Sequence, residues 1–176
     1  MTPKMPLNWN LAVADVPAAQ REVRREATAE ERAAVAVALD LLGCDRLEAV
    51  YTVRPTARGR YTLAGRIDAA ITQACGVTLE PMAAQLTLPL DAGFASDAAA
   101  LVMDSDGEEV EVLSLPDIEP IENGELEIGR VVFETLAAGI DLYPRKPDAA
   151  FDWEDPLQKD GKSNPFAVLA KLKTQS

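Results

Sequence analysis

The chain has 176 residues, of which 48% are hydrophobic and only 5% aromatic, and its formal net charge is −12. This length suits one domain, and the alanine-rich apolar content predicts a modest core of small side chains. The chain holds no histidine, which excludes catalytic pairs and metal sites that depend on imidazole. It also lacks the glycine-rich motifs that cradle phosphates. We therefore expect no catalytic activity, no cofactor and no metal ion.

The acidic excess is confined to one part of the chain. Residues 67–129 carry fourteen Asp/Glu and no Lys or Arg, whereas the flanking parts are nearly balanced. A field of this sign repels nucleic-acid phosphates and attracts basic proteins, although such a run is as often a solvated surface with no partner. The candidate partner-binding residues are Asp104, Asp106, Glu108, Glu109, Glu111, Tyr143 and Arg145.

The first part of the chain predicts strands around one helix. Strands are expected near residues 7–14, where Trp9 alternates with apolar neighbours, and at 21–26. The run Thr28-Ala-Glu-Glu31 fits a capping box, so a helix is expected from Ala29 to about Leu42. Its predicted core face is Val35, Leu39 and Leu42, and Gly43 is expected to end it.

A long hairpin and a corner form the centre of the chain. Strands are predicted at residues 46–54 and 60–73, joined by a turn at 55–59, and a returning strand at 82–90. The corner between the last two holds Cys75, and Gly76 is able to take a positive φ there. Cys75 is interpreted as a small buried residue; a nucleophile is the alternative, but no cation lies nearby in sequence to lower its pKa.

Four arginines crowd the hairpin: Arg54, Arg58, Arg60 and Arg66. They predict either a solvated sheet edge that discourages aggregation or a patch that contacts RNA phosphates. The first interpretation is favoured.

The last third of the chain predicts a second helix and a tail. Brief strands are expected at residues 101–103 and 109–113, and an extended, proline-punctuated run at 116–124. The helix is predicted from Leu126 to Asp141, with a core face of Ile128, Val131, Val132, Leu136 and Ile140. A single domain is expected over 1–147, with an acidic segment at 91–127, and a polar tail over 148–176 ending in a short docking helix at 164–173.

Cysteine usage and the N-terminus predict a cytoplasmic protein. Cys44 and Cys75 are too few for a zinc site without histidine, and both are expected to be reduced. No apolar run of signal-peptide type follows Met1, and no run is long enough to span a membrane.

Four motifs follow one another along the chain: Gln73-Ala-Cys-Gly-Val-Thr-Leu-Glu-Pro81, Leu126-Glu-Ile-Gly-Arg-Val-Val-Phe-Glu-Thr-Leu136, Ile140-Asp-Leu-Tyr-Pro-Arg-Lys-Pro147 and Asn164-Pro-Phe-Ala-Val-Leu-Ala-Lys-Leu172. In this order they resemble the YceD family, the large ribosomal RNA subunit accumulation proteins, and the last motif is similar to its alphaproteobacterial branch. The corner residues that carry the resemblance are Gln73, Cys75, Thr78, Leu79, Glu80 and Pro81. Many relatives have a Cys-x-x-Cys corner, whereas this chain keeps only Cys75, so no metal site is carried over.

The resemblance implies a non-catalytic role in ribosomal RNA metabolism. Because the chain is too acidic to grip RNA over a broad surface, we expect it to act through a basic protein, such as a ribosomal protein or an assembly factor. The alternative is direct binding of ribosomal RNA through the arginine hairpin. The expected fold is α+β, with an antiparallel sheet, open or barrel-like, and two main helices packed against it.

Overall fold

A computed structural model describes residues 5–17, 21–56, 59–96 and 118–150. The strands are β1 (Asn10–Ala12), β2 (Glu22–Glu26), β3 (Gly43–Pro55), β4 (Tyr61–Ala74), β5 (Pro81–Ala95), β6 (Ile118–Pro120) and β7 (Glu125–Glu127). The helices are α1 (Ala29–Ala38) and α2 (Ile128–Gly139), with a 3₁₀ turn at Val13–Asp15. The α+β class and the two main helices are confirmed.

The main sheet has the order β2-β3-β4-β5-β6, and β1 pairs separately with β7. Neighbouring strands are antiparallel except β5 and β6, which are parallel. The order is linear, so within the described part of the chain the sheet is open and does not close into a barrel. The predicted first strand is also shorter than expected, and it joins the small sheet because Asn10–Ala12 pairs with residues next to α2.

One face of the main sheet carries the core. Buried and more exposed residues alternate over much of β4 and β5, whereas β3 is buried continuously from Leu47 to Tyr51. Helix α1 packs against β3, and α2 packs against β5. The largest fully buried side chains include Trp9 and Phe94, and the Trp9 indole N–H donates to Glu31 Oε1 at 2.8 Å. On the opposite face, Ala83, Gln85 and Thr87 of β5 are exposed, whereas Glu48 and Val50 of β3 are buried.

Helix α1 begins as predicted and ends earlier. The Glu31 amide donates to Thr28 Oγ1 at 3.2 Å, and Glu31 Oε2 accepts from the Thr28 amide at 2.9 Å, which confirms the capping box. The helix ends at Ala38 because Asp40 takes a left-handed φ of 52°, with the Leu41 amide donating back to the Ala36 carbonyl. Asp40 therefore holds the position expected for Gly43.

The early end of α1 changes its predicted core face. Val35 is fully buried and Leu39 packs against the core, but Leu42 is 60% exposed. The Leu42 amide donates to the Thr72 carbonyl, so this residue already belongs to the approach to the sheet.

Helix α2 keeps its predicted core face but is shorter than residues 126–141. Leu126 and Glu127 belong to β7, and the helix ends at Gly139. The predicted core residues Ile128, Val131, Val132 and Leu136 are buried, and Ile140 packs against them. The predicted elements at 101–103, 109–113 and 164–173 lie outside the described residues.

Candidate functional site

The corner between β4 and β5 is a compact turn built from its own backbone. The Cys75 amide donates to the Glu80 carbonyl, and the Leu79 amide donates to the Cys75 carbonyl, both at 2.9 Å. Leu79 takes the positive φ, at 60°, whereas Gly76 does not. Gly76 instead lets the backbone at Pro144 lie close to the corner, because the Gly76 amide donates to the Pro144 carbonyl at 2.8 Å.

Four contacts join this corner to the segment that follows α2. The Gln73 side-chain amide donates to the Asp141 carbonyl at 2.8 Å, and the Lys146 ammonium lies 2.6 Å from Glu80 Oε2. The Gly76 amide meets the Pro144 carbonyl, and the Lys146 amide donates to Cys75 Sγ at 3.5 Å. Two motifs that lie far apart in sequence, residues 73–81 and 140–147, therefore form one structural unit.

Backbone amides stabilise the thiolate form of Cys75. The Lys146 N–H has the largest effect, followed by the Thr78 hydroxyl and the amides of Thr78 and Val77, and together they lower the pKa of Cys75 to about 6. The side chain has no exposed surface. The predicted burial of Cys75 is thus confirmed, but its low pKa was missed, because sequence reasoning looked for a nearby cationic side chain.

The surface around the corner is apolar and exposed. Leu79, Leu142 and Tyr143 are each more than three-quarters exposed, and Arg145 is exposed beside them in sequence. Tyr143 and Arg145 were predicted to bind a partner, and their exposure leaves that prediction open. The five acidic candidates Asp104, Asp106, Glu108, Glu109 and Glu111 lie outside the described residues.

On the outer face of the sheet, arginines are matched by carboxylates. Glu48 and Asp68 lie directly opposite each other on β3 and β4. Glu48 lies 2.7 Å from Arg24 and 2.9 Å from Arg46, and Asp68 lies 3.1 Å from Arg66. The hydrogen bond from Arg46 is the main reason that the pKa of Glu48 is lowered. Each of the two facing acids therefore contacts at least one arginine.

The predicted arginine patch is therefore only partly assembled. Arg66 is paired with Asp68, Arg54 is exposed near the end of β3, and Arg60 is half-buried at the start of β4. Arg58 lies outside the described residues. An arrangement dedicated to phosphate would leave its guanidinium groups unmatched by acids, which is not the case at Arg66.

An acidic groove of about 430 Å³ lies between β5 and α2. Its lining includes Pro89, Asp91, Glu119, Val131, Glu134 and Ala138. Arg130 lies 3.6 Å from Glu119 and 2.9 Å from Glu134, so one cation contacts two of the three carboxylates. Sequence reasoning did not find this groove, because its residues come from β5, β6 and α2 and share no motif.

The groove does not resemble a metal site. No three His, Cys, Asp or Glu side chains within the described ranges are grouped closely enough to hold a metal ion.

Comparison of the chain with protein-family models, curated proteins and solved structures found no match in any of the three. Within the described residues, neither helix is long and apolar enough to cross a membrane.

Proposed function

We propose that this protein is a non-catalytic, cytoplasmic factor in ribosome biogenesis that supports accumulation of large-subunit ribosomal RNA by binding a basic protein. The partner would be a ribosomal protein or an assembly factor. The link to ribosomal RNA comes from the resemblance of the corner and the α2 region to the YceD family. The choice of a basic protein partner comes from the charge of the molecule.

The observation that carries this proposal is the acidic groove. Asp91, Glu119 and Glu134 line it, and Arg130 forms ion pairs with Glu119 and Glu134. Asp91 and Glu119 belong to the acidic segment 91–127 of the sequence, whose two ends meet where β6 pairs with the end of β5. Lysine and arginine side chains of a partner would be attracted to the groove.

The alternative, direct binding of RNA, has less support. Arg24, Arg46 and Arg66 contact Glu48 or Asp68 on the outer face of the sheet. A phosphate would compete with these carboxylates and would meet their negative charge. We therefore keep RNA binding as the outcome that the experiment must distinguish.

The test is an affinity purification from lysate at low and moderate salt, with and without nuclease. We expect ribosomal proteins or assembly factors to be retained after nuclease treatment and to be lost as salt is raised. Recovery of large-subunit RNA, with loss of the proteins on nuclease treatment, would instead establish RNA binding and contradict the proposal.

Charge variants locate the surface responsible. The double variant Asp91→Asn, Glu134→Gln removes two groove acids, and Glu22→Gln, Glu30→Gln removes two exposed acids elsewhere. We expect the first pair to reduce retention of the partner and the second pair to leave it unchanged. In cells depleted of the protein, the ratio of large- to small-subunit ribosomal RNA should fall and be restored by the wild type and the control only.

A further inference from the structure

Strand β5 has one side that no described strand covers over most of its length. On its other side it pairs with β4 from Pro81 to Phe94 without a register shift. On the free side, the only described neighbour is β6, which pairs with Gly93, Phe94 and Ala95. The part of β5 from Pro81 to Asp91 is therefore a sheet edge within the described part of the chain.

One hydrogen bond fixes which residues face this edge. The Ile121 amide donates to the Ala95 carbonyl at 2.9 Å, so the backbone of Ala95 points away from β4. Along a regular strand, successive residues point their backbone groups to opposite sides. Because the ladder with β4 is uninterrupted, Ala83, Gln85 and Thr87 direct their amides and carbonyls toward the free side.

The prolines of β5 obey the same alternation. Pro81 and Pro89 have the parity that faces the free side, so the amide that each of them lacks would not have bonded to β4. They bracket a short run in which Ala83, Gln85 and Thr87 are the remaining donors. The side chains of these three residues are exposed, so nothing on the outer face blocks access. Prolines in these places restrict a long edge-to-edge association but leave room for a short strand.

Charge decides among the strands that fit this edge. The acidic groove adjoins it, since Pro89 and Asp91 belong to both. A second copy would bring another net charge of −12, and residues 97–117 of the chain carry seven acids and no Lys or Arg. Either would add like charge beside Asp91, Glu119 and Glu134. A lysine- or arginine-rich strand is attracted instead.

We propose that the free edge of β5 from Ala83 to Thr87 binds an extended basic peptide segment of the partner as an added strand. Backbone hydrogen bonds to Ala83, Gln85 and Thr87 give the affinity, and the groove acids select basic side chains next to them. This inference rests on the proposed function, because it specifies how the basic partner is held.

A defined peptide tests the edge directly. The probe is an octapeptide of alternating lysine and threonine, titrated into the full isotope-labelled chain. Binding should weaken with salt, and it should slow amide hydrogen exchange at Ala83, Gln85 and Thr87 while leaving the interleaved residues, already bonded to β4, unchanged.

Proline at the centre of the edge provides the decisive variant. Gln85→Pro removes one donor from the free side without removing a bond to β4, and we expect roughly tenfold weaker binding. Gln85→Ala is the matched control, because it shortens the same side chain and keeps the amide. Should Gln85→Pro fold poorly, the exchange pattern in the wild type decides the question alone.

Three results would overturn the edge proposal: no binding of the peptide, equal binding by Gln85→Pro and Gln85→Ala, or protection of the three amides in the wild type before peptide is added. The last would mean that another part of the chain or a second copy occupies the edge. If Gln85→Pro retains the ribosomal proteins from lysate as strongly as Gln85→Ala does, the edge proposal fails and the proposed function stands. If the wild type retains none, the proposed function fails.

Discussion

The outer face of the sheet and the groove beside its free edge contain the same kinds of charged side chain in opposite proportions. On the outer face, Glu48 and Asp68 contact three arginines, at 2.7 to 3.1 Å. In the groove, Arg130 contacts Glu119 and Glu134, and Asp91 is the third acid of the lining. The outer face therefore has two acids beside three cations, whereas the groove has three acids beside Arg130.

The difference shows why the net charge of a chain is a poor guide to its binding surface. Of the arginines that drew attention in the sequence, Arg66 contacts Asp68, whereas Glu48 is held by Arg24 and Arg46. No motif marked the three groove acids, and the single charge of Arg130 does not offset all of them. A partner is therefore expected where the fold leaves charge unbalanced, and the following variants test this contrast.

The largest effect is expected from Gly65→Ala, which disturbs the close pairing of β3 with β4 on which the outer-face contacts depend. A Cβ atom at Gly65 would lie 2.2 Å from the Val50 carbonyl oxygen and 2.6 Å from the Tyr51 Cα, both backbone atoms that cannot rotate away. We expect a loss of about 2–3 kcal/mol in the free energy of unfolding, measured in urea. Ala64→Ser, at the exposed neighbouring position, is the control and should change stability by less than about 0.5 kcal/mol. A harmless Gly65→Ala would mean that β3 and β4 are not held as closely as described.

The contacts between acids and arginines on the outer face are tested by Glu48→Gln. Glu48 is 4% exposed and accepts hydrogen bonds from two arginines, so we expect a loss of about 1–2 kcal/mol at neutral pH. Its lowered folded pKa gives stability that is present above the unfolded pKa and lost as pH falls through the folded one. The difference between wild type and variant should therefore shrink in acid. Glu22→Gln, on the same face and exposed, should show neither effect, and binding of a basic probe should be unaffected by both.

At Cys75, backbone amides stabilise a negative charge, and the dependence of folding stability on pH tests this effect. Its folded pKa of about 6 lies below the unfolded value, so it contributes stability above the unfolded pKa that is lost as pH falls toward 6. The stability advantage of the wild type over Cys75→Ala should therefore grow between pH 6 and pH 9. Cys44 is the matched control, because burial raises its pKa and Cys44→Ala should alter the slope in the opposite direction. Parallel curves for wild type and Cys75→Ala would contradict a thiolate at the corner.

Removal of the groove acids is expected to have the smallest effect on stability and the largest effect on binding. Asp91→Asn with Glu134→Gln removes two groove acids but only one exposed ion pair, Arg130 with Glu134, so unfolding should change by less than about 0.5 kcal/mol. Affinity for the basic octapeptide and its dependence on salt should both fall. A large loss of stability with unchanged binding would mean that the groove acids, like Glu48, stabilise the fold and do not bind the partner.

Sequence patterns predicted the elements whose signals are local. The hairpin of β3 and β4, the return strand and the capping box at Thr28 and Glu31 all depend on neighbours in the chain, and all are confirmed. The pairing of β1 with β7 joins Asn10 to Glu127, so no local pattern could place it. Closure of a barrel is decided by pairing between edge strands, which alternation within a strand does not encode.

The candidate site was predictable only in outline. The corner and the segment after α2 were both singled out, but their contact at Cys75 and Lys146 depends on tertiary structure. The amides that lower the pKa of Cys75 are groups that every residue except proline possesses, so they leave no signature in the sequence. The predictions on residues 97–117 of the acidic segment and on the C-terminal helix remain predictions, because both stretches lie outside the described residues.

The parallel pairing of β6 with the end of β5 has a consequence for how this protein could change over evolutionary time. It fixes the two points between which the acidic segment runs, since Gly93 lies beside Ile118 and Ala95 accepts a hydrogen bond from Ile121. The free energy of closing a loop grows only slowly with its length, by about 0.6 kcal/mol per doubling. Where the pairing of β6 with β5 is kept, its two attachment points stay the same whatever number of residues joins them. Related chains could therefore differ in the length and charge of this stretch while they share the same sheet.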